Sequence, residues 1–324
     1  MSRVNLPWPL IRQAPWFPAA PIGIAGTGNK NGLRMHTTGA IFYVDPYQPG
    51  ASDGRTGTEP TDPLLTIQAG VDRCTAYSGD VVLVMDNDAW TYSTQTEAPY
   101  VENVVVTTPG ISIIGVSRSG ALGPVWRPAT AGGIACAVYA LDVLVEGFCF
   151  AEAHVGAGGG TGVYAAWNGF TVWGDNVTVR NCYLGDDLDI GVQLEYAWNN
   201  WITDNVFQGA AGGTMVGIYV DPAGSGAAYN HILRNEFRSC SGGAISGQGM
   251  ADSDIGENRF YNLAAQGGAP VAGTGIDNTG GGTNLVWGNW FSSVQADMAG
   301  WNVSAATDAW VGNMAMDGLV VANP

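Results

Sequence analysis

The chain has 324 residues, 12 Lys and Arg against 28 Asp and Glu, and a formal net charge of −16, with Lys30 as its only lysine. That balance excludes a groove that follows a phosphate backbone and disfavours acidic polysaccharides as substrates, since both depend on basic side chains. Forty-eight glycines and only 12% charged residues point to many tight corners, and no apolar run approaches the ~20 residues that span a bilayer.

Residues 1–38 stand apart from the rest. Pro7, Pro9, Pro15, Pro18 and Pro21 alternate with Trp8, Leu10, Trp16 and Phe17, followed by a polar stretch from Gly26 to Thr38. Proline at this density forbids a helix, and the aromatic content is too high for a solvated tail. The segment is expected to be an extended arm that lies on a partner, with Trp8, Trp16 and Phe17 as apolar anchors. The N-terminus lacks the charged, apolar and small-residue order of a signal peptide.

Residues 39–78 predict a strand, Ile41-Phe-Tyr-Val44, a Gly/Asp/Pro-rich loop, and a helix opening at Asp62-Pro63 and running to Tyr77. Asp62 or Thr61 would cap it, with Pro63 in the first turn. Ile67, Val71 and Cys74 share one face of that helix, which suits it to cover the open end of a stacked core.

From residue 79 to 316 the chain reads as coils. Gly79-Asp-Val-Val-Leu-Val-Met85, Glu102-Asn-Val-Val-Val106 and Gly110-Ile-Ser-Ile-Ile-Gly115 are strands, and Val-Leu-Val-Glu-Gly147-Phe repeats the last of them. An asparagine then returns in one short apolar pattern at Asn181, Asn205, Asn235, Asn258, Asn289 and Asn313, at intervals of 24, 30, 23, 31 and 24 residues by subtraction. Repeats of that period identify a solenoid with one coil per repeat. Val177, Val179, Ile202, Ile232, Ile255 and Leu285 before the asparagines are expected to face inward, and Tyr183, Phe207, Phe237, Phe260 and Phe291 after them to stack in a column. A second strand opens on glycine at Gly191, Gly217, Gly243 and Gly275. Two strands per coil, with a shorter third, make an all-β, single-stranded parallel β-helix with a C-terminal tail over 317–324.

A bend between strands leaves backbone groups without ladder partners. A buried asparagine amide supplies both donor and acceptor, tolerates a left-handed corner as glycine does, and can bond to its copy one coil away, ~4.8 Å along the axis. The six asparagines are therefore expected to form a structural ladder rather than a sugar or metal site.

The order of strand, Gly/Asp/Thr-rich loop, Pro63-Leu-Leu-Thr-Ile67, Gly79-Asp-Val-Val-Leu-Val and Ile-Ser-Ile-Ile-Gly115 resembles the opening of right-handed parallel β-helix proteins of the pectate-lyase-like superfamily. More narrowly, Tyr-Val-Asp45, Ser52-Asp-Gly-Arg-Thr-Gly-Thr58, Cys74-Thr-Ala and Gly79 to Met85 resemble β-helix proteins of tailed bacteriophages, over roughly residues 40–120. The resemblance implies a virion-exterior location, a capsid or neighbouring virion protein as partner, and a homotrimer.

Within the wider superfamily, lyases hold calcium on carboxylates and use an Arg or Lys base. Asp186, Asp187, Asp189 and Glu195 are the candidate acids, with Arg180 nearby, but the lyase pattern around a catalytic arginine is absent. Polygalacturonase-like hydrolases pair carboxylates across the scissile bond. Gly185-Asp186-Asp187 matches one of their motifs, while their Gly-His-Gly and Arg-Ile-Lys motifs are missing.

Other chemistry finds little support. Cys74, Cys136, Cys149, Cys182 and Cys240 have no pairing pattern and read as buried free thiols or at most a stray bridge; no metal or cofactor is expected. Gly156 to Gly162 lacks the ending of a phosphate loop, and Ser246 lies in a coil turn rather than a nucleophile elbow. Trp198 and Trp201, and the group Trp287, Trp290, Trp301 and Trp310, suit a subunit interface better than a sugar platform. The sequence thus predicts a structural virion protein, a decoration, turret or spike, without nucleic-acid or membrane partners. The alternative is a tailspike-type protein that binds or degrades a host-surface glycan through Asp186, Asp187 and Glu195.

Overall fold

The computed structural model describes residues 21–23, 34–86, 99–116, 123–130, 132–151, 161–166, 174–185, 188–209, 215–220, 227–240, 242–247, 249–261, 275–278, 281–292, 302–303 and 307–315. Within them the chain winds through three parallel sheets of ten, nine and eight strands, plus one antiparallel pair, Pro21–Gly23 with Arg34–His36. Among the described residues, each of eight successive coils contributes one strand to each sheet, and the end coils contribute to fewer. In the coil around Asn205, for example, Trp201–Thr203 belongs to the first sheet, Val206–Gln208 to the second and Val216–Val220 to the third. The architecture is a parallel β-helix.

One apolar column fills the coils from Phe42 to Phe291. In the first sheet it is built by Val145, Val179, Ile202, Ile232, Ile255 and Val286, which lie in register across consecutive coils. Val286, not Leu285, takes the inward position, and Leu285 is exposed. In the second sheet Phe150, Leu184, Phe207, Phe237, Phe260 and Phe291 align. Tyr183 falls outside that column. It pairs with Val206 and packs with Val125 and Cys149 on the outer side of the sheet. The four phenylalanines stack with ring centroids 4.6–5.1 Å apart and planes within 8°.

The glycines of the third sheet make room for those rings. A Cβ on Gly191 would lie 2.6 Å from the Phe207 ring, and one on Gly217 would lie 2.7 Å from the Phe237 ring and 2.6 Å from the Ala244 carbonyl oxygen. Gly243 is one place out of this series, because Val216 pairs with Gly243 and Ile218 with Ile245. Ala244 therefore holds the equivalent position. Gly217→Ala should cost about 1–3 kcal/mol through overpacking against backbone and a trapped ring. Thermal unfolding checks this, and an unchanged midpoint would refute the close approach.

The helix at the N-terminal end is shorter than the sequence suggests. It spans Ile67–Arg73, capped by the Thr66 side chain, which accepts from the Ala69 N–H at 3.1 Å. The residues before it bond to the sheet instead: Leu64 N–H donates to the Tyr43 carbonyl, and Asp45 N–H donates to that of Leu64. Ile67, Gly70 and Val71 are its buried face. Two carboxylates hold its first turn: Asp53 accepts from the Leu65 and Thr66 N–H groups, and Glu102 accepts from those of Ile67 and Gln68 at 3.0 and 3.1 Å.

Burial pushes the Glu102 carboxyl above its usual range, against those two donors. Because its folded pKa exceeds the unfolded one, Glu102 contributes stability fully below about pH 4.3 and loses it as pH rises through the folded value. Glu102→Gln should remove that slope and, by turning an NH2 group toward a backbone donor, lower stability near neutrality by about 1–3 kcal/mol. Unfolding midpoints measured from pH 4 to pH 7 test both effects.

Candidate functional site

Each passage from the first sheet to the second takes two residues, and the two do different work. The first adopts a left-handed conformation: Gly147, Asn181, Asp204, Arg234, Glu257, Gly288 and Gly312 all have φ between 52° and 80°. The second turns its side chain inward. There Asn205, Asn235, Asn258, Asn289 and Asn313 are at most 1% exposed. Each amide oxygen accepts from the backbone N–H of the preceding coil at 2.9–3.0 Å. Each amide nitrogen donates to a strand carbonyl, as Asn235 does to Ile202 at 2.7 Å, and those of Asn205, Asn235, Asn258 and Asn289 also donate to the next amide oxygen. The left-handed bend and the amide ladder thus fall on neighbouring residues.

Asn181 is not a rung of this ladder. Arg180 pairs with Thr203, which sets Asn181 over Asp204 and Cys182 over Asn205. Cys182 N–H donates to Asn205, while the exposed Asn181 amide donates to Glu146 at 2.8 Å. The repeat slides by one residue in this coil.

A second ladder, missed in the sequence, lines the passage from the third sheet to the first. Val177 N–H donates to Asn200, Asn200 to Asn230, Asn230 to the Ser253 hydroxyl, Ser253 to Asn284 and Asn284 to Asp308, all at 2.8–3.0 Å. Its signal was present, because Asn200, Asn230, Ser253, Asn284 and Asp308 each stand five residues before a rung of the first ladder.

Many acids also link coils. Glu146 accepts from Arg180 at 2.8 Å, Asp175 from the Trp198 N–H at 2.7 Å and Asp254 from the Trp287 indole at 2.8 Å. Asp204 takes both Arg234 nitrogens at 2.8 and 2.9 Å, Asp142 bonds Asn176, and Asp252 bonds Thr283. Burial raises the Asp175 pKa, against its bond from Trp198.

Among the proposed acids, Asp186 and Asp187 lie outside the described residues, as do Trp8, Trp16 and Phe17. Glu195 is described. It ends the strand Ile190–Glu195 of the third sheet, half-buried, where its charge contributes after burial to a raised Tyr139 pKa. Five residues of strand, roughly 16 Å, separate it from Ile190 at the opposite end. Asp189 is exposed, and its carbonyl accepts from Val216.

An alginate lyase from Paenibacillus sp. str. FPU-7 superimposes with a TM-score of 0.52 at 16% identity, over 77% of this chain and 83% of the lyase. A doubly substituted pectate lyase from Xanthomonas campestris gives 0.50 at 13%, over 89% and 82%. The chain is a parallel β-helix, the fold of these two lyases. At these identities the likeness concerns fold alone. A tailspike protein of Acinetobacter baumannii bacteriophage Fri1, a capsular polysaccharide depolymerase, aligns at a TM-score of 0.28 and 11% identity over 92% of this chain and 67% of its own, too loosely to carry argument. The profile of the periplasmic copper-binding protein (NosD) family matches residues 163–314, just under half of the chain. No curated protein matches it.

Copper does not fit the described residues. They contain no group of three or more His, Cys, Asp or Glu side chains placed to hold a metal ion. The five cysteines are free, and burial pushes Cys182 and Cys240 up to about 12 and Cys136 higher still. Such thiols resist forming the thiolate that a soft metal needs.

Proposed function

We propose that this chain is a structural protein of a virion exterior, a β-helix decoration, turret or spike. Residues 1–38 attach it to the capsid or a neighbouring virion protein through Trp8, Trp16 and Phe17, and the body associates as a trimer. The observation that carries this reading is the use of the described polar groups. Glu146, Asp175, Asp204, Asp254 and Asp308 each fasten one coil to another, and two amide ladders do the same inside. A body fastened coil to coil suits prolonged exposure outside a cell. The resemblance of residues 40–120 to phage β-helix proteins supports the setting.

A second reading, a tailspike-type protein that binds or cleaves a polysaccharide, is favoured by the fold shared with two polysaccharide lyases. Asp186, Asp187 and Glu195 would be its acids. One experiment separates the two. The full chain is added to particles lacking it, beside a variant carrying Trp8→Ala, Trp16→Ala and Phe17→Ala, and the wild type is incubated with alginate, pectate and capsular polysaccharide. Particle binding lost in the variant, with no chain cleavage, is expected. Polysaccharide cleavage by the wild type, lost in Asp186→Asn or Asp187→Asn, would overturn the structural reading.

A further inference from the structure

The corner from the first sheet to the second carries a wall of side chains that stops abruptly. Asp204, Arg234 and Glu257 are followed along the axis by Gly288 and Gly312. Among the described residues, a Cβ on Gly288 would meet nothing nearer than Glu257 at 3.9 Å, and one on Gly312 would meet nothing within 4 Å. The flank of Trp290, two residues beyond Gly288, is therefore open. An open depression forms there, lined by Glu257, Arg259, Tyr261, Gly288 and Trp290 above the buried Asn258.

Its components have complementary chemistry. Trp290 is 36% exposed, and the Tyr261 ring stands edge-on to it, 5.6 Å away at 76°, which holds the indole in place. Arg259 pairs in register with Trp290 on the neighbouring strand. Arg180, Arg234 and Arg238 all have carboxylate partners, whereas Arg259 is exposed and has no ion pair among the described residues. A fixed aromatic face, a guanidinium with donors to give and a carboxylate that accepts lie side by side, with no net local charge.

We propose that this depression binds a neutral hexopyranose unit of a glycan. The apolar C–H face of the sugar packs on Trp290, while adjacent hydroxyls accept from Arg259 and donate to Glu257. A uronate is disfavoured by Glu257 and by the field of a chain carrying −16. Nothing in this inference uses the N-terminal segment, so it holds whether the chain is a virion component or not.

The test uses the full chain and saturation-transfer NMR with the methyl glycosides of glucose, galactose and mannose, with glucuronate for comparison. At least one neutral glycoside should bind, and Trp290→Ala and Arg259→Gln should each weaken it tenfold or more without moving the unfolding midpoint. Gly288→Asn, which tolerates the left-handed conformation but fills the open flank, should do the same. Absence of binding by every neutral glycoside, or binding that survives these substitutions, would overturn the proposal. So would light scattering in which the wild type associates, Trp290→Ala releases monomers and no sugar saturates, since that result assigns the face to a second copy of the chain.

Discussion

Replacing Asn235 with aspartate should be among the most damaging single changes in this chain, although it alters one atom of a side chain. The Asn235 amide nitrogen donates to the Ile202 carbonyl at 2.7 Å and to the Asn258 amide oxygen at 3.1 Å, in a site that is 1% exposed. Aspartate sets an acceptor against both acceptors. Each orphaned group costs about 1–3 kcal/mol, and the carboxylate must either remain charged in a dry site or bind a proton at neutral pH. A loss of roughly 4 kcal/mol or more is expected near pH 7, shrinking as pH falls and the carboxyl becomes a donor. Denaturant unfolding at pH 7 and pH 4 reads both. Asn181→Asp is the control, because its amide is exposed and, among the described residues, donates to Glu146 alone. It should cost no more than about 1 kcal/mol, and equal losses at 181 and 235 would sink the assignment of rungs.

That pair of substitutions also marks how far the sequence could be read. For five of the six asparagines the inward-facing residue stands three places before, Ile202, Ile232, Ile255, Val286 and Trp310, so the expectation of Leu285 departed from the repeat's own spacing. Around Asn181 the segment Val177-Thr-Val-Arg-Asn-Cys-Tyr-Leu184 has apolar residues at both candidate inward positions, Tyr183 and Leu184, so spacing alone cannot choose between them. The choice is made in three dimensions, where Glu146 pairs with Arg180 and Phe150 with Leu184. The second ladder escaped notice for another reason. Its rungs are chemically mixed, with Ser253 and Asp308 among asparagines, yet any small side chain with an acceptor oxygen serves the backbone N–H of the coil before it.

The helix boundary failed through competition. Asp62-Pro63 is a sound start signal locally, but Leu64 is claimed by the edge of the strand Ile41–Val44, a long-range contact that propensity does not contain. The clamp of Asp53 and Glu102 on the same helix is invisible for the same reason, since its partners lie 12 to 35 residues apart. Gly243 shows the limit of matching glycines by eye. Gly191 and Gly217 are required by the rings facing them, whereas Gly243 has φ 128° and lies one residue before the position that faces inward.

Phe237→Ala tests the other source of cohesion. Phe237 is fully buried and stacks between Phe207 at 4.8 Å and Phe260 at 5.1 Å, with planes within 8° of parallel. Removing the ring forfeits its transfer energy and leaves a cavity bounded by Gly217, whose missing side chain cannot refill it, so a loss of about 3–5 kcal/mol is expected. In a solenoid the damage is not shared equally, because each coil contacts only its neighbours. Hydrogen exchange should therefore accelerate in the coils holding Phe207, Phe237 and Phe260, while the strands Ile41–Val44 and Val81–Met85 under the helix keep their protection. The N-terminal coils are held differently, by Trp126, Phe148 and Phe150, whose ring planes lie at 31–64° to one another rather than stacked in parallel. A uniform rise in exchange from residue 41 to residue 315 would mean that the coils unfold as one unit, and the stacked phenylalanines would then be a property of the whole core rather than a local joint.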